Sequence, residues 1–353
     1  MCKQIGQRPS IFCVLPPNVL RAIAQNGTDE QRRAALKTLS VDNTHRNLRG
    51  IRLAAPVSQA LTSRVAVPGG LQRTIYDTHN SESLPGDTAR TEGAPATGDS
   101  VVDEAYENLG DTDDFYRSAL GRNSLDGQGG PLLATVHYSQ NYDNAFWNGQ
   151  FMVFGDGMVM DRLTEVTVAA HELTHGVTEV EAQLIYYGQS GALNESMSDV
   201  FGSLVKQNKL GRQDAGEADW LIGEGIWIED IQGQALRSMS NPGSAYDDPL
   251  VGKDQQPAHM DDYYSGPEDN QGVHINSGIC NRAFYLAATG IGGFAGDKAG
   301  HIWYAALRDS RLSPQATFQE FAQLTYISAL NLFSEREAET VYNAWSEVGV
   351  FRS

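Results

Sequence analysis

The stretch VAAHELTHGV, residues 168–177, sets His171 and His175 four positions apart, with Glu172 directly after the first. Four residues make just over one turn of an α-helix, so both imidazoles leave the same face and can bind one cation. Glu172 then points about 100° around the axis, where it can reach a water beside that cation. A catalytic metal needs a third protein ligand and one open position. One familiar source, a histidine six residues past the second, is absent because Glu181 stands there, and Thr178 replaces the accompanying glycine. The alternative is a downstream carboxylate. In SGALNESMSDVFGSLV, Glu195 lies twenty residues after His175, with Asp199 one turn further along the same face. An acid in the Asp199 position can accept a hydrogen bond from the free ring nitrogen of a ligating histidine and fix its tautomer. By themselves these residues also fit an amphipathic helix with plain histidines and a solvated acidic pair.

The elements that must position these groups follow from pattern. Helical periodicity recurs over residues 164–180, 191–208, 274–290, 297–309, 314–331 and 334–347, with a loop-rich stretch at 211–273. Between about residues 71 and 160, short strands and turns prevail, interrupted by one helix near 101–120. The aromatic run NAFWNGQFMVFGDG predicts an exposed strand over 144–154, able to pair with an extended peptide. The expected architecture is α+β, a mostly β half followed by a mostly α half. Ahead of it, NVLRAIAQNGTDEQRRAALKTL predicts two short helices: Val19, Leu20 and Ile23 share a face, Gly27 closes the first, and Thr28 with Gln31 forms a capping box for the second. Residues 40–64 lack clear periodicity and carry Arg46, Arg49, Arg52 and Pro56, which reads as a linker open to proteolysis. The expected division is therefore 1–50 with a linker to about 64, 65–180 mostly β and ending in the His171 helix, and 181–353 mostly α.

A chain of 353 residues, 41% hydrophobic and 20% charged, is a soluble globular protein of two-domain size. A net charge of -18 argues against nucleic acid as a partner. The charge is uneven: eight basic against three acidic residues give +5 over residues 1–50 and leave -23 on the rest. A basic segment facing an acidic body predicts that the first docks on the second. Three cysteines do not make a disulfide framework. No stretch is apolar enough for a membrane span, and the run from Ile11 to Leu15 stops at Pro16-Pro17, short of a Sec-type signal. The expected location is the cytoplasm, or outside the cell by an unconventional route.

HELTHGVTE, followed by GALNESMSDVFG and EDNQGVHINSGICNRAFY and preceded by NAFWNG, resembles the thermolysin family of zinc endopeptidases, in order from about Leu71 to the C-terminus. The N-terminal LPPNVLRAIAQNGTDEQRRAALKTL resembles its protealysin-like branch, whose precursors carry a short inhibitory propeptide. The resemblance implies a thermolysin-like fold with the active-site cleft between the two halves. It implies Zn2+ held by His171, His175 and Glu195, with Glu172 as general base and Asp199 orienting His171. It also implies His274, held by Asp269, and Tyr186 as oxyanion donors, and Arg237 on the carbonyl of the residue after the scissile bond. Val168 and Leu236 would line that residue's hydrophobic pocket, which would favour Leu, Ile, Val or Phe, while Asn144 and Ala145 would pair with the substrate backbone. Substrates would be proteins or peptides, and the propeptide an intramolecular inhibitor released by a cut between about residues 43 and 64.

Departures from the family pattern carry their own expectations. Acids of the family's paired calcium site fall on Thr167, Lys206 and Leu221, while Asp219 and Glu224 remain, so Lys206 is expected to pair with these acids in place of an ion. A single Ca2+ elsewhere would need an acidic loop such as Asp111 to Asp114, which otherwise reads as a solvated charge run. Gln271 replaces a glycine common in the family, which bears on the backbone before His274. Cys13, just ahead of Pro16-Pro17, offers a thiolate that could cap the zinc in a latent state. The competing reading is a non-catalytic binding protein with a structural metal.

Overall fold

Short β-prone runs separated by turn residues assemble into a six-stranded sheet in the computed structural model, which describes residues 12–54 and 70–351. Its strands are β1 (Phe12–Cys13), β2 (Arg73–Asp77), β3 (Asp87–Thr91), β4 (Leu132–Val136), β5 (Ala145–Trp147) and β6 (Met152–Phe154), in the order β1-β5-β6-β4-β2-β3. The central β6-β4-β2 pairings are parallel and the outer ones antiparallel. The sequence run 144–154 is therefore a hairpin rather than one strand. Its turn follows from Asn148-Gly149: the Asn148 carboxamide accepts from the amides of Gln150 at 2.8 Å and Phe151 at 2.9 Å, and Gly149 takes φ +94°. Nor is its outer edge exposed, because β1 from the N-terminal segment covers it.

Helix α3 (Ser100–Leu120) packs against this sheet and starts where the Asp99 carboxylate accepts from the amides of Val101 at 2.9 Å and Val102 at 3.2 Å. It holds the acidic run Asp111 to Asp114. Those residues lie in the helix and form no loop: Asp111 pairs with Lys209 at 2.7 Å and Asp113 with Arg117 at 3.0 Å, so the run is a set of paired charges rather than an acidic loop for a single Ca2+. The helical half contains α4 (Val166–Glu181), α5 (Gly188–Lys209), α6 (Asp269–Ile291), α7 (Ala299–Leu307), α8 (Phe318–Leu332) and α9 (Glu335–Glu347). α4 packs directly on α5, and α5 on α6. Close approach of the first pair depends on Gly202, where an added Cβ would lie 2.8 Å from the Thr167 carbonyl oxygen of α4. Near that crossing, the Lys206 ammonium sits 2.7 Å from both Asp219 and Glu224, a fixed cation between the two acids. Among the described residues, no helix is long and apolar enough to cross a membrane.

The N-terminal segment contributes α1 (Pro17–Asn26) and α2 (Asp29–Ala54). The capping box forms, with the Thr28 amide donating to Gln31 at 2.9 Å and the Gln31 amide to the Thr28 hydroxyl at 3.3 Å. The expected linker from residue 40 is a correction: α2 runs on to Ala54, and only residues 55–64 of that stretch lie outside the described chain. The inward stripe of this part of α2 is polar. Thr38, Asp42 and His45, at spacings of four and three, face the body, where the Thr38 hydroxyl accepts from the Asp143 amide at 3.3 Å, Asp42 accepts from the Tyr142 hydroxyl at 2.5 Å, and the His45 ring lies 2.7 Å from the Tyr138 hydroxyl. A helix docked by hydrogen bonds leaves no hydrophobic period to read. Charge does not carry the docking either. The ion pairs Arg21–Glu268 at 3.0 Å and Lys37–Glu82 at 3.5 Å are exposed, where such pairs contribute little, whereas Val14, Leu15, Val19, Leu20 and Ile23 are fully buried.

Two consequences are measurable. Gly202→Ala should push α5 off α4 and lower stability by about 1–3 kcal/mol in urea unfolding; an unchanged midpoint would mean that the helix spacing is not set there. His137 bridges Asp156 at 2.7 Å and the α3 cap Asp99 at 3.1 Å; its bond to Asp156 lifts its pKa to about 9 against the opposing effect of burial. Because the folded value exceeds the unfolded one, this stabilisation is complete below about pH 6.5 and lost as pH rises through about 9. Thermal midpoints of wild type and His137→Gln should therefore differ most in acid and converge in base.

Candidate active site

α4 brings His171 and His175 to one point on its buried face, and α5 meets them with Glu195. The two Nε2 atoms lie 2.9 Å apart; Glu195 Oε2 is 3.5 Å from the first and Oε1 3.4 Å from the second. All three side chains are buried, and their ligand atoms fall within 4.8 Å of one another. The opposite ring nitrogens are committed elsewhere. His171 Nδ1 donates to Asp199 Oδ1 at 2.8 Å, and His175 Nδ1 donates to Asn194 Oδ1 at 2.8 Å. With both Nδ1 protons so placed, each neutral imidazole turns a lone pair on Nε2 toward the other and toward a carboxylate, an arrangement that needs positive charge at its centre. Glu195 Oε2 has no hydrogen-bond partner, as expected of an oxygen kept for an ion. Two imidazoles and one carboxylate form a donor set suited to zinc.

Asp199 is the hub behind the histidines. Arg237 holds both its oxygens, at 2.7 and 2.8 Å, and Asn281 donates to it at 2.8 Å. Although burial opposes ionisation, the Arg237 and His171 contacts keep its carboxyl down at about 2. Asn194 and Asn281 were not singled out in the sequence. Asn194 stands directly before Glu195, and a residue flanking a ligand on a helix is well placed to reach the next ligand's ring; Asn281, remote in sequence, gave no such signal.

Glu172 leaves the same helix beside the cluster. It is fully buried, neither carboxyl oxygen has a hydrogen-bond partner, and burial pushes its pKa well above the carboxylate range. Across the cleft, four consecutive residues at positive φ, Asp269 to Gly272, precede the regular part of α6, and Gln271 takes φ +66°, a conformation that favours glycine. That turn aims Asp269 at His274, accepting from its amide at 2.9 Å and its Nδ1 at 2.6 Å. Burial disfavours the imidazolium, but the charges of Asp269 and Glu195 lift His274 well above the usual range. Tyr186 donates to Glu195 Oε1, and its hydroxyl lies 3.1 Å from His274 Nε2.

The cleft is filled by the chain's own N-terminal segment. Val14 donates its amide to the Ala145 carbonyl at 3.1 Å, and the Leu15 amide donates to Asn144 Oδ1 at 3.1 Å. Arg237 Nη1 donates to the Val14 carbonyl at 2.7 Å, and His274 Nε2 lies 2.7 Å from the Cys13 carbonyl oxygen. Asn144, Ala145, Arg237 and His274 are thus gathered on one peptide, and a residual cavity of only about 10 Å³ remains between Pro16, Asn18, Leu236, Arg237 and His274. Leu236, which lines that cavity, and Val168 are both buried. The Cys13 thiol turns to the Leu15 carbonyl at 3.8 Å, and among the described residues it is not one of the ligand atoms that converge with His171, His175 and Glu195.

Comparison with known proteins agrees with this geometry. Residues 61–179 match the thermolysin metallopeptidase catalytic domain, and residues 182–350 match the thermolysin metallopeptidase alpha-helical domain. The chain is 51% identical to an extracellular metalloprotease of Pectobacterium carotovorum subsp. carotovorum, with 96% of each chain aligned, and 46% identical to protease PrtS of Photorhabdus sp. (strain Az29), covering 96% of this chain and 91% of that one. A solved structure, the precursor of protealysin, a metalloproteinase from Serratia proteamaculans, superposes with a TM-score of 0.86 at 51% identity, covering 96% of this chain and 99% of the other. With two imidazoles and a carboxylate converging from α4 and α5, and both halves matched end to end, the chain belongs to the thermolysin family of metallopeptidases.

Proposed function

We propose that this metalloendopeptidase is made as a zymogen in which residues 12–54 block the cleft, and that Glu172 serves as its general base. The observation that carries the reading is the pairing of three convergent ligands with a buried carboxylate that bonds to nothing. Zinc held by His171, His175 and Glu195 would supply Lewis acidity, acidifying water and polarising the scissile carbonyl. Glu172, its proton affinity raised by burial, is suited to take a proton from the attacking water and pass it to the leaving amine. His274, kept cationic by Asp269, and the Tyr186 hydroxyl are the donors available to the oxyanion. Asp199 fixes the His171 tautomer, while Asn144 and Ala145 pair with substrate backbone by strand addition to β5. Arg237 grips the carbonyl of the residue after the cut, and Val168 and Leu236 favour an apolar side chain there.

Latency follows from occupation: the groups that would hold a substrate are already bonded to residues 13–15. Release requires a cut beyond the docked portion. The expected window for that cut is 43–64, and residues 55–64 of it lie outside the described chain. The curated relatives named extracellular metalloproteases support a role outside the cell.

Glu172→Gln should lower kcat about 10²–10⁴-fold while native mass spectrometry still finds one zinc per chain; a chelator should abolish wild-type peptide hydrolysis. Full activity in the variant would remove the general-base assignment, and a lack of zinc in the wild type would remove the metal centre. In the uncleaved precursor, Asp42→Ala strands the Tyr142 hydroxyl and the Asn144 amide, which Asp42 accepts at 2.5 and 3.1 Å. The loss of about 1–3 kcal/mol should raise precursor activity on the order of tenfold. An equally silent variant would place latency elsewhere.

A further inference from the structure

The segment that aims Asp269 at His274 is a single turn of left-handed helix. Asn270 (φ 51°, ψ 43°), Gln271 (φ 66°, ψ 40°) and Gly272 (φ 75°, ψ 42°) follow Asp269, and the Gly272 amide closes the turn on the Glu268 carbonyl at 2.9 Å. Elsewhere in the described chain, positive φ occurs at most twice in succession. Asp269, Asn270 and Gln271 each carry a Cβ that crowds the backbone in this conformation, so the turn persists only where its surroundings hold it. One side chain does so. Asn276, fully buried near the start of the regular part of α6, accepts from the Tyr264 amide at 2.9 Å and donates to the Tyr264 carbonyl at 3.0 Å and the Gln271 carbonyl at 3.3 Å. The Tyr264 ring then closes over Gly272, where an added Cβ would lie 2.6 Å from the ring and 3.0 Å from Asn276 Nδ2.

From this we infer that Asn276 is a positioning residue for peptide hydrolysis: by gripping Gln271 in the left-handed turn it keeps Asp269 on His274, and so keeps the His274 imidazole aimed at the oxyanion. Its hydrogen bonds go to Tyr264 and Gln271, outside the metal cluster. The helix beyond the turn is fixed separately, because Gln256 donates to the His274 carbonyl at 2.8 Å and to the Ser277 hydroxyl at 3.0 Å. Cutting the Asn276 bonds therefore frees the turn rather than α6. Gln271 then leaves its strained φ, and Asp269 draws away from the His274 amide and Nδ1 that it now holds at 2.9 and 2.6 Å. A misaimed donor penalises the transition state more than bound substrate, since the oxyanion forms only there.

This inference rests on the oxyanion role proposed above for His274, and its test separates the two. Wild type, His274→Ala, Asn276→Ala, Asn276→Asp and the double variant Asn276→Ala with Gln271→Gly are expressed as full-length chains, matured with trypsin and freed of it. Each is assayed on one blocked peptide, and bound zinc is counted by native mass spectrometry. His274→Ala should lower kcat about 10²–10³-fold. Both Asn276 variants should keep their zinc and lower kcat about tenfold, with KM within about twofold of wild type. Adding Gln271→Gly should restore kcat by at least about threefold, because glycine adopts the left-handed turn without strain. A residue that only supported the fold would alter stability and leave the kcat of folded enzyme alone. Wild-type kcat in both zinc-loaded Asn276 variants, an effect confined to KM, or no rescue by Gln271→Gly overturns the positioning role while the His274 loss stands. Zinc missing from both variants overturns it too, since Asn276 would then be holding the metal-bearing fold. An unchanged kcat in His274→Ala overturns the oxyanion reading and this inference with it.

Discussion

Two imidazole Nε2 atoms facing each other across 2.9 Å, with a carboxylate alongside, form an arrangement suited to a cation at its centre. Every neighbouring element serves to keep those three groups aimed. α4 supplies the two imidazoles at one-turn spacing, α5 supplies the carboxylate, and the absence of a side chain at Gly202 lets the helices approach. Behind them, Asp199 and Asn194 take the Nδ1 protons, and Arg237 and Asn281 neutralise and fix Asp199. Buried charge of this kind is tolerated because each group is paired, and removing one partner would expose the rest to an uncompensated desolvation cost.

The N-terminal segment is held along its backbone as an added strand. Strand addition to β5 satisfies its backbone, Arg237 and His274 satisfy its carbonyls, and α1 and α2 then anchor it to the body. Asn144 shows how closely the two roles are joined. Its oxygen accepts from Leu15 in the cleft while its nitrogen donates to Asp42 on α2. The anchor and the cleft occupant are thereby coupled through one side chain, so loosening either weakens both. Association driven by charge would be sensitive to salt; here the ion pairs between segment and body lie at the rim and apolar side chains fill the centre.

Much of the site was legible because its signals are local. The His171 to His175 spacing dictates a shared face, and Glu195 with Asp199 repeats that logic one helix later. Capping by Thr28 and Gln31, and the extents of α3 and of α5 to α9, followed from turn chemistry and periodicity. Misreadings arose where a local signal competed with a partner elsewhere. Asn148-Gly149 turned an apparent single strand into a hairpin, and α2 continued through residues whose inward face is polar because its partners on the body are hydroxyls and an amide. The charge split suggested electrostatic docking, yet solvent at the rim screens it.

By itself, the sequence determined the chemistry on offer: which residues can ligate, which carboxylate is placed beside them, and the succession of helices that carries them. Those properties depend on residue type and on separations of a few positions. Tertiary structure alone decided in which register the N-terminal segment fills the cleft, because that depends on contacts between residues more than 100 positions apart, such as Val14 with Arg237 and Cys13 with His274. No periodicity records such a contact. It exists only once the sheet edge, the helix pair and the turn before His274 have been packed into one frame.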